Sequence, residues 1–254
     1  MTIVDLLHGF SNLNVNAIKL ALVRPSKLRN YLSHCMRRYE ELAYKGLPCR
    51  NPPGPADNVT ITIPSTHSGG GMTFNELVVL ARVTKAVDPK TIFEFGTYNG
   101  LSTAVFLLNA STDSRILTLD LPLDLREPQD SLPGDRNLIA TRSLASIPRG
   151  LGLRGYNQIL CDSMFFDPSP FVDSVDLGLI DGAHDLVHVQ NDTIKMVSMM
   201  CETGVIFWHD YGGRSSLGPL SGYLENLGKR CQVYRIPDTN FAWAPARDLK
   251  KVAL

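Results

Sequence analysis

From about residue 72 onward, short apolar runs alternate with amphipathic stretches. Ile92-Phe93-Glu94-Phe95 and the runs within 114–120, 157–161, 175–181 and 203–208 read as strands. Those that are apolar on both faces are expected in a parallel sheet covered by helices. Between them, apolar residues recur at helical spacing. Leu77, Leu80, Ala81 and Val83 mark a helix over 74–87, opened by a capping box of Thr73 and Glu76 and stopped by Asp88-Pro89. A second helix follows the first strand over Leu101–Leu108. A third is expected to start at Gly182-Ala183-His184 and run to about Cys201, with Val187, Ile194 and Val197 facing the core. A fourth falls at about 217–228. Gln232–Ile236 and Asn240–Ala244 flank Pro237-Asp238-Thr239 and read as a closing antiparallel hairpin. Five strand–helix units and a hairpin predict one α/β domain over 72–254.

The first fifty residues look different. Their apolar positions predict two helices, separated at Pro25. Eight Lys/Arg stand there against three Asp/Glu, which reads first as the solvated face of a helix pair and second as an arm forming a homodimer. Pro48 to Gly71 is rich in Pro, Gly, Ser and Asn, a linker or a loop over the sheet edge with at most a short strand at Val59–Ile63. The expected organisation is therefore a helical extension and linker over 1–71, then the α/β domain over 72–254. Pro122 to Ser146 is a long polar insertion, a lid or a loop.

Composition narrows the partners. The formal net charge is zero, so no global field draws nucleic acid or an acidic membrane. No run approaches the roughly 20 apolar residues of a membrane span. Five cysteines without a C-x-x-C pair fit reduced thiols, and the start lacks the basic and apolar segments of a signal peptide. A cytoplasmic protein is expected.

The candidate chemistry lies at strand carboxyl ends, where open α/β sheets bind ligands. Gly96 and Gly100 frame a turn into a helix N-terminus, a site suited to an anion or carboxylate. Asp120 ends the second strand at a distance suited to ribose hydroxyls. Asp162-Ser163, Asp181-Gly182-Ala183-His184 and His209-Asp210-Tyr211 end the next three.

The stretch Glu94-x-Gly96-x-x-x-Gly100 lacks the spacing of a dinucleotide fingerprint and resembles the first motif of class I S-adenosylmethionine (SAM)-dependent methyltransferases. I-D-G-x-H at 180–184 and G-V-I-F-W-H-D-Y at 204–211 resemble the small-molecule O-methyltransferase-like subgroup, and the resemblance covers roughly 72–246. It implies a Rossmann-like sheet of seven strands in the order 3-2-1-4-5-7-6, with helices on both faces, and SAM as cofactor. It places Glu94 toward the amino-acid moiety and Gly96, Thr97, Tyr98, Gly100 and Ser102 around the turn. Asp120 and Leu121 fall at the ribose, Asp162 and Ser163 at the adenine, and Asp181 at the fourth strand tip. A small-molecule hydroxyl is the expected acceptor.

Methyl transfer asks the protein mainly to position the acceptor and take its proton. His184 is the candidate base and Asp210 its orienting partner, because histidine titrates near neutrality. His209 is expected to point elsewhere, since adjacent strand-end side chains alternate. A divalent metal, held in catechol-type relatives by acids matching Asp181 and Asp210, is not favoured, because Tyr211 stands at the third ligand position. Two other classes compete. One is a metal-dependent hydrolase using His184/His188 or His209/Asp210, and the other is a non-catalytic scaffold of the same fold.

Overall fold

The computed structural model describes residues 46–52, 58–62, 71–122, 139–140, 143–212 and 218–252. The two helices expected in the first fifty residues, and most of the 122–146 insertion, lie outside these residues. Residues 47–254 form one compact unit.

The apolar runs become strands β1 (Thr91–Phe95), β2 (Arg115–Asp120), β3 (Tyr156–Leu160), β4 (Val175–Ile180) and β5 (Met200–Trp208), and the hairpin supplies β6 (Tyr234–Arg235) and β7 (Ala242–Pro245). They make one sheet in the order β3-β2-β1-β4-β5-β7-β6, as the resemblance implies. β1 to β5 pair in parallel, while β7 runs antiparallel to β5 and β6. The helices are α1 (Phe74–Val87), α2 (Leu101–Asn109), α3 (Ser146–Gly150), α4 (Leu186–Met199), α5 (Gly218–Gly228) and α6 (Ala246–Leu249). The capping box of α1 is complete, with Thr73 and Glu76 bonded reciprocally.

Because strand side chains alternate, β1 divides its residues between two cores. Phe93 and Phe95 join Leu117, Ile206 and Trp208 on one face, while Ile92 joins Ile116, Leu177 and Phe207 on the other. The first core is aromatic at its centre, with the rings of Phe93 and Phe95 5.0 Å apart and those of Phe93 and Phe166 5.3 Å apart. Offset and edge-on rings of this kind add about 0.5–1.5 kcal/mol beyond their buried area. The first core reaches the carboxyl ends of β1, β4 and β5 through Phe95, Ile180 and Trp208, so the polar residues just beyond them sit on a rigid platform.

Two local readings need correction. The helix expected from Gly182 starts at Leu186, because Asp185 caps it by accepting the His188 amide at 3.1 Å. Val187 and Ile194 are 60% and 48% exposed, while Val189, Thr193, Met196 and Val197 form the face packed on the sheet. No strand forms over 58–62. There the Thr60 backbone exchanges hydrogen bonds with the Asn109 side chain, at 2.8 and 2.6 Å. The linker does cover the sheet edge upstream: Arg50 donates its amide to the Arg235 carbonyl, and the Arg235 amide bonds Pro48. An edge strand is blunted in this way.

Candidate active site

Gly96 lies at φ 93°, a conformation costly for any side chain, and a Cβ there would fall 2.0 Å from the Asp181 carbonyl oxygen. The sequence reserves this glycine for a ligand, but its nearest claimant is the backbone at the tip of β4. Gly100, at φ 80°, lets the helix start pass Pro148 of α3, whose Cδ would lie 2.7 Å from an added Cβ. Between them Tyr98 sits at φ 46°, uncommon for a bulky residue. Asp120 holds it there. One carboxylate oxygen accepts the amides of Thr97 and Tyr98 at 3.0 and 2.7 Å, and the other accepts the Leu121 amide at 2.8 Å. The acid expected at the ribose thus also fastens the turn. From the outer side, the Ala145 and Ile147 amides bond the carbonyls of Tyr98 and Asn99, both at 2.9 Å.

Glu94 pairs in register with Thr118 on β2 and faces α2. It is fully buried, and its two oxygens accept the hydroxyls of Ser102, Thr103 and Thr118. A buried carboxylate is costly without partners, and three side-chain hydroxyls supply them. Burial nevertheless pushes its pKa up to about 7 against these hydrogen bonds. Between pH 4.5, the unfolded value, and about 7, the folded chain holds a proton that the unfolded chain has released. This contribution to stability is full below pH 4.5 and is lost as the pH rises through 7. Its size is about 3 kcal/mol. Urea unfolding of Glu94→Gln at pH 5 and pH 8 is the check. The variant, relative to wild type, is expected to gain stability at the higher pH, and an equal difference at both values refutes this.

At the tips of β4 and β5 four side chains meet, and Glu76 of α1 joins them. His184 Nε2 lies 2.7 Å from Asp210 Oδ2. His209 Nδ1 lies 3.1 Å from Asp181 and 3.2 Å from Asp210, and its Nε2 is 3.3 Å from Glu76. A narrow cavity beside them is lined by Asp181, Gly182, His184, Val189, His209 and Leu220. Burial alone would disfavour the charged forms. The carboxylates of Asp181 and Asp210 prevail over burial at His209 and hold its pKa well above the ordinary value. Burial opposes ionisation of Asp210 too, yet the charge of His209 and the hydrogen bond from His184 keep it well below the usual carboxylate range. Glu76 is also lowered against burial, by His209 and by the amides of Asn240 and Thr73. Three carboxylates around the His209 imidazolium leave the group negative, suited to a cationic ligand.

The structure changes three expectations. His209 belongs to the cluster, because Asp210 at φ 62° breaks the extended backbone and both side chains turn to one side. His184 precedes α4, and His188 contacts Asp185 at 2.7 Å, so the two histidines share no helix face and the H-x-x-x-H reading falls. Tyr211 is buried and turned to the Leu47 amide, at 2.9 Å from its hydroxyl. Sequence reasoning assigned Glu76 only to a helix cap. The capping box did mark it, but nothing in the sequence pointed it at His209.

For a metal, the third oxygen donor missing at Tyr211 has a substitute. Asp181, His184 and Asp210 each offer an atom, all within 4.8 Å of one another. Two carboxylates and an imidazole suit a divalent ion that takes nitrogen as well as oxygen. For SAM, the fit lies in the negative charge of the site, in the glycine turn, and in acids at the tips of β2, β3 and β4.

Residues 93–211 match a family model described as a methyltransferase domain. Among solved structures, the chain resembles cofactor-bound Rv0187 from MTB, with a TM-score of 0.51 and 16% identity over 71% of this chain and 84% of that one. It also resembles a putative caffeoyl-CoA O-methyltransferase from Staphylococcus aureus, with a TM-score of 0.50 and 13% identity over 73% and 84%. A third likeness is to the O-methyltransferase NovP, with a TM-score of 0.50 and 13% identity over 66% and 78%. At such identities the likeness speaks for the fold alone. No curated protein matches the sequence.

Proposed function

We propose that this class I SAM-dependent methyltransferase, which matches a methyltransferase domain over residues 93–211 and takes SAM as its cofactor, methylates a hydroxyl of a small molecule, with His184 as the base. The observation that carries this reading is the 2.7 Å contact between His184 Nε2 and Asp210 just beyond the carboxyl ends of β4 and β5. A methylated hydroxyl must lose its proton, and an imidazole fixed by a carboxylate is suited to take it. The bound cofactor supplies an electrophilic methyl group on a sulfonium. The chain's own residues bring the acceptor in line, exclude water and remove the proton.

The same reading assigns roles to the rest of the site. Gly96, Thr97, Tyr98 and Gly100 form the turn under the amino-acid end, and Asp120 with Leu121 meets the ribose. Asp162 and Ser163 meet the adenine, and Asp181 faces the methyl donor. With its oxygens taken by three hydroxyls, Glu94 and its partner Ser102 act by setting the start of α2. Residues 72–254 are the catalytic domain, and residues 1–71 are an extension whose basic stretch is a candidate for joining two copies. No helix among the described residues is long and apolar enough to cross a membrane, which agrees with a cytoplasmic setting.

A second reading has a specific observation in its favour, the gathering of Asp181, His184 and Asp210. A divalent ion there would polarise the acceptor oxygen, and His184 would be a ligand instead of a base. Dialysis against EDTA, followed by turnover of a panel of hydroxylated metabolites with labelled SAM, separates the two. Retention of most of the turnover is expected, because the imidazole and carboxylate already contact each other directly. Complete loss restored by Mg²⁺ or Mn²⁺ overturns the base assignment. Transfer to no hydroxyl, with transfer to amines or thiols, overturns the acceptor class.

A further inference from the structure

The loop after β3 is clamped from the side by α4, and the mechanism above makes no use of the clamp. Asn191 Nδ2 donates to the Ser163 carbonyl at 3.0 Å and to Asp192 Oδ1 at 2.8 Å. Lys195 Nζ reaches the carbonyls of Ser163 and Met164 at 2.5 and 2.9 Å. Asp192 is 1% exposed, and the Ser163 side chain hydrogen-bonds to its carboxylate. Its other close neighbour is the backbone at Gly182, where an added Cβ would lie 3.5 Å from Oδ2. A buried carboxylate is costly, and this one lies under the tips of β3 and β4. Within the loop, Asp162 accepts the Met164 amide at 2.9 Å through Oδ1, and its carbonyl accepts the Phe165 amide at 2.9 Å. The Cys161 amide bonds the Asp120 carbonyl at 3.0 Å, which brings the loop beside the ribose acid.

We propose that Asn191, Asp192 and Lys195 are positioning residues that hold Asp162 and Ser163 for the 6-amino group of the cofactor's adenine, a role that rests on the methyltransferase reading. The Ser163 carbonyl already serves two donors on α4, so recognition of an exocyclic amine falls to the carboxylate of Asp162. An amine donor on the ligand needs an acceptor at one place, and a free loop would not keep it there. Asn191 and Lys195 fix the backbone at Ser163 and Met164, Asp192 holds the Ser163 side chain, and the Met164 amide in turn holds the Asp162 carboxylate. The selectivity is for a 6-aminopurine over a 6-oxopurine, because the 6-oxo group would set an acceptor against an acceptor.

The test compares two ligands by isothermal titration calorimetry. One is S-adenosylhomocysteine and the other is S-inosylhomocysteine, which differs at position 6 of the purine. Wild type is expected to prefer the adenosine ligand by about tenfold or more, the scale of one hydrogen bond to a charged group. Lys195→Met is expected to weaken the adenosine ligand about tenfold and bring the preference close to one, and Lys195→Arg to restore it. Asp192→Asn reports on the buried half of the clamp by the same ratio. Equal weakening of both ligands, or an unchanged ratio in a folded Lys195→Met protein, overturns the proposal. Wild type that binds the adenosine ligand without preference overturns it too. Failure of wild type to bind either ligand refutes instead the cofactor site on which it rests.

Discussion

Gly96→Val is expected to abolish measurable binding of S-adenosylhomocysteine and to lower stability by about 2–5 kcal/mol. Two costs combine. A β-branched residue resists φ 93°, and its Cβ would stand 2.0 Å from the Asp181 carbonyl oxygen. That contact cannot relax locally, because Asp181 donates its amide to the Phe95 carbonyl and Gly96 donates its own to Leu119. Relief means prying the carboxyl end of β4 from that of β1. Gly152→Ala is the control: Gly152 lies at φ 69° with no neighbour within 4 Å of an added Cβ, so only the backbone cost of about 1–2 kcal/mol applies. Urea unfolding and calorimetry of both variants decide the matter. A Gly96→Val protein with near-normal stability and affinity rules out the close approach of the two strand tips.

His184→Ala should lower kcat about 10²–10⁴-fold on a hydroxyl acceptor while leaving cofactor affinity nearly intact. The side chain leads off from a loop that Asp210 steadies at 2.7 Å, and α4 is capped separately by Asp185. Removing the imidazole therefore costs the helix little, and a large loss of thermal stability is not expected. The pH–rate profile should lose its acidic limb in the same variant. Wild-type turnover in a folded His184→Ala protein would transfer the base to Asp210 or His209.

The sheet was legible because its signal is local. Runs such as Ile116–Leu119 and Leu177–Ile180 are mostly apolar, and each is followed by an aspartate that marks the strand tip. The glycine turn was legible for a related reason, since Gly96 and Gly100 both adopt backbone conformations that other residues resist. The start of α4 was misread because Gly182 and His184 resemble a helix entrance, whereas the stronger cap is Asp185. His209 was misplaced by strand alternation, which holds only while the backbone stays extended, and Asp210 leaves that conformation. The partners of Glu94 were hidden because Ser102, Thr103 and Thr118 look like ordinary helix and strand residues. Only the register of β1 against β2 brings Thr118 opposite the carboxylate.

Glu76 also bears on the order in which the molecule takes shape. Its carboxylate caps α1 through the Thr73 amide, accepts the Asn240 amide at 2.7 Å and stands 3.3 Å from His209. Glu76 and Asn240 are 164 residues apart, so this meeting requires nearly the whole domain to be in place. Contacts between distant segments carry the loop-closure cost before they bring any gain, and they tend to form late. A chain still emerging from the ribosome, with residues from 240 onward not yet made, has β4 and β5 in hand but lacks the Asn240 amide for Glu76. Glu76 acquires its full set of partners only when the hairpin closes, so the support that His209 receives from α1 is completed with the last strands.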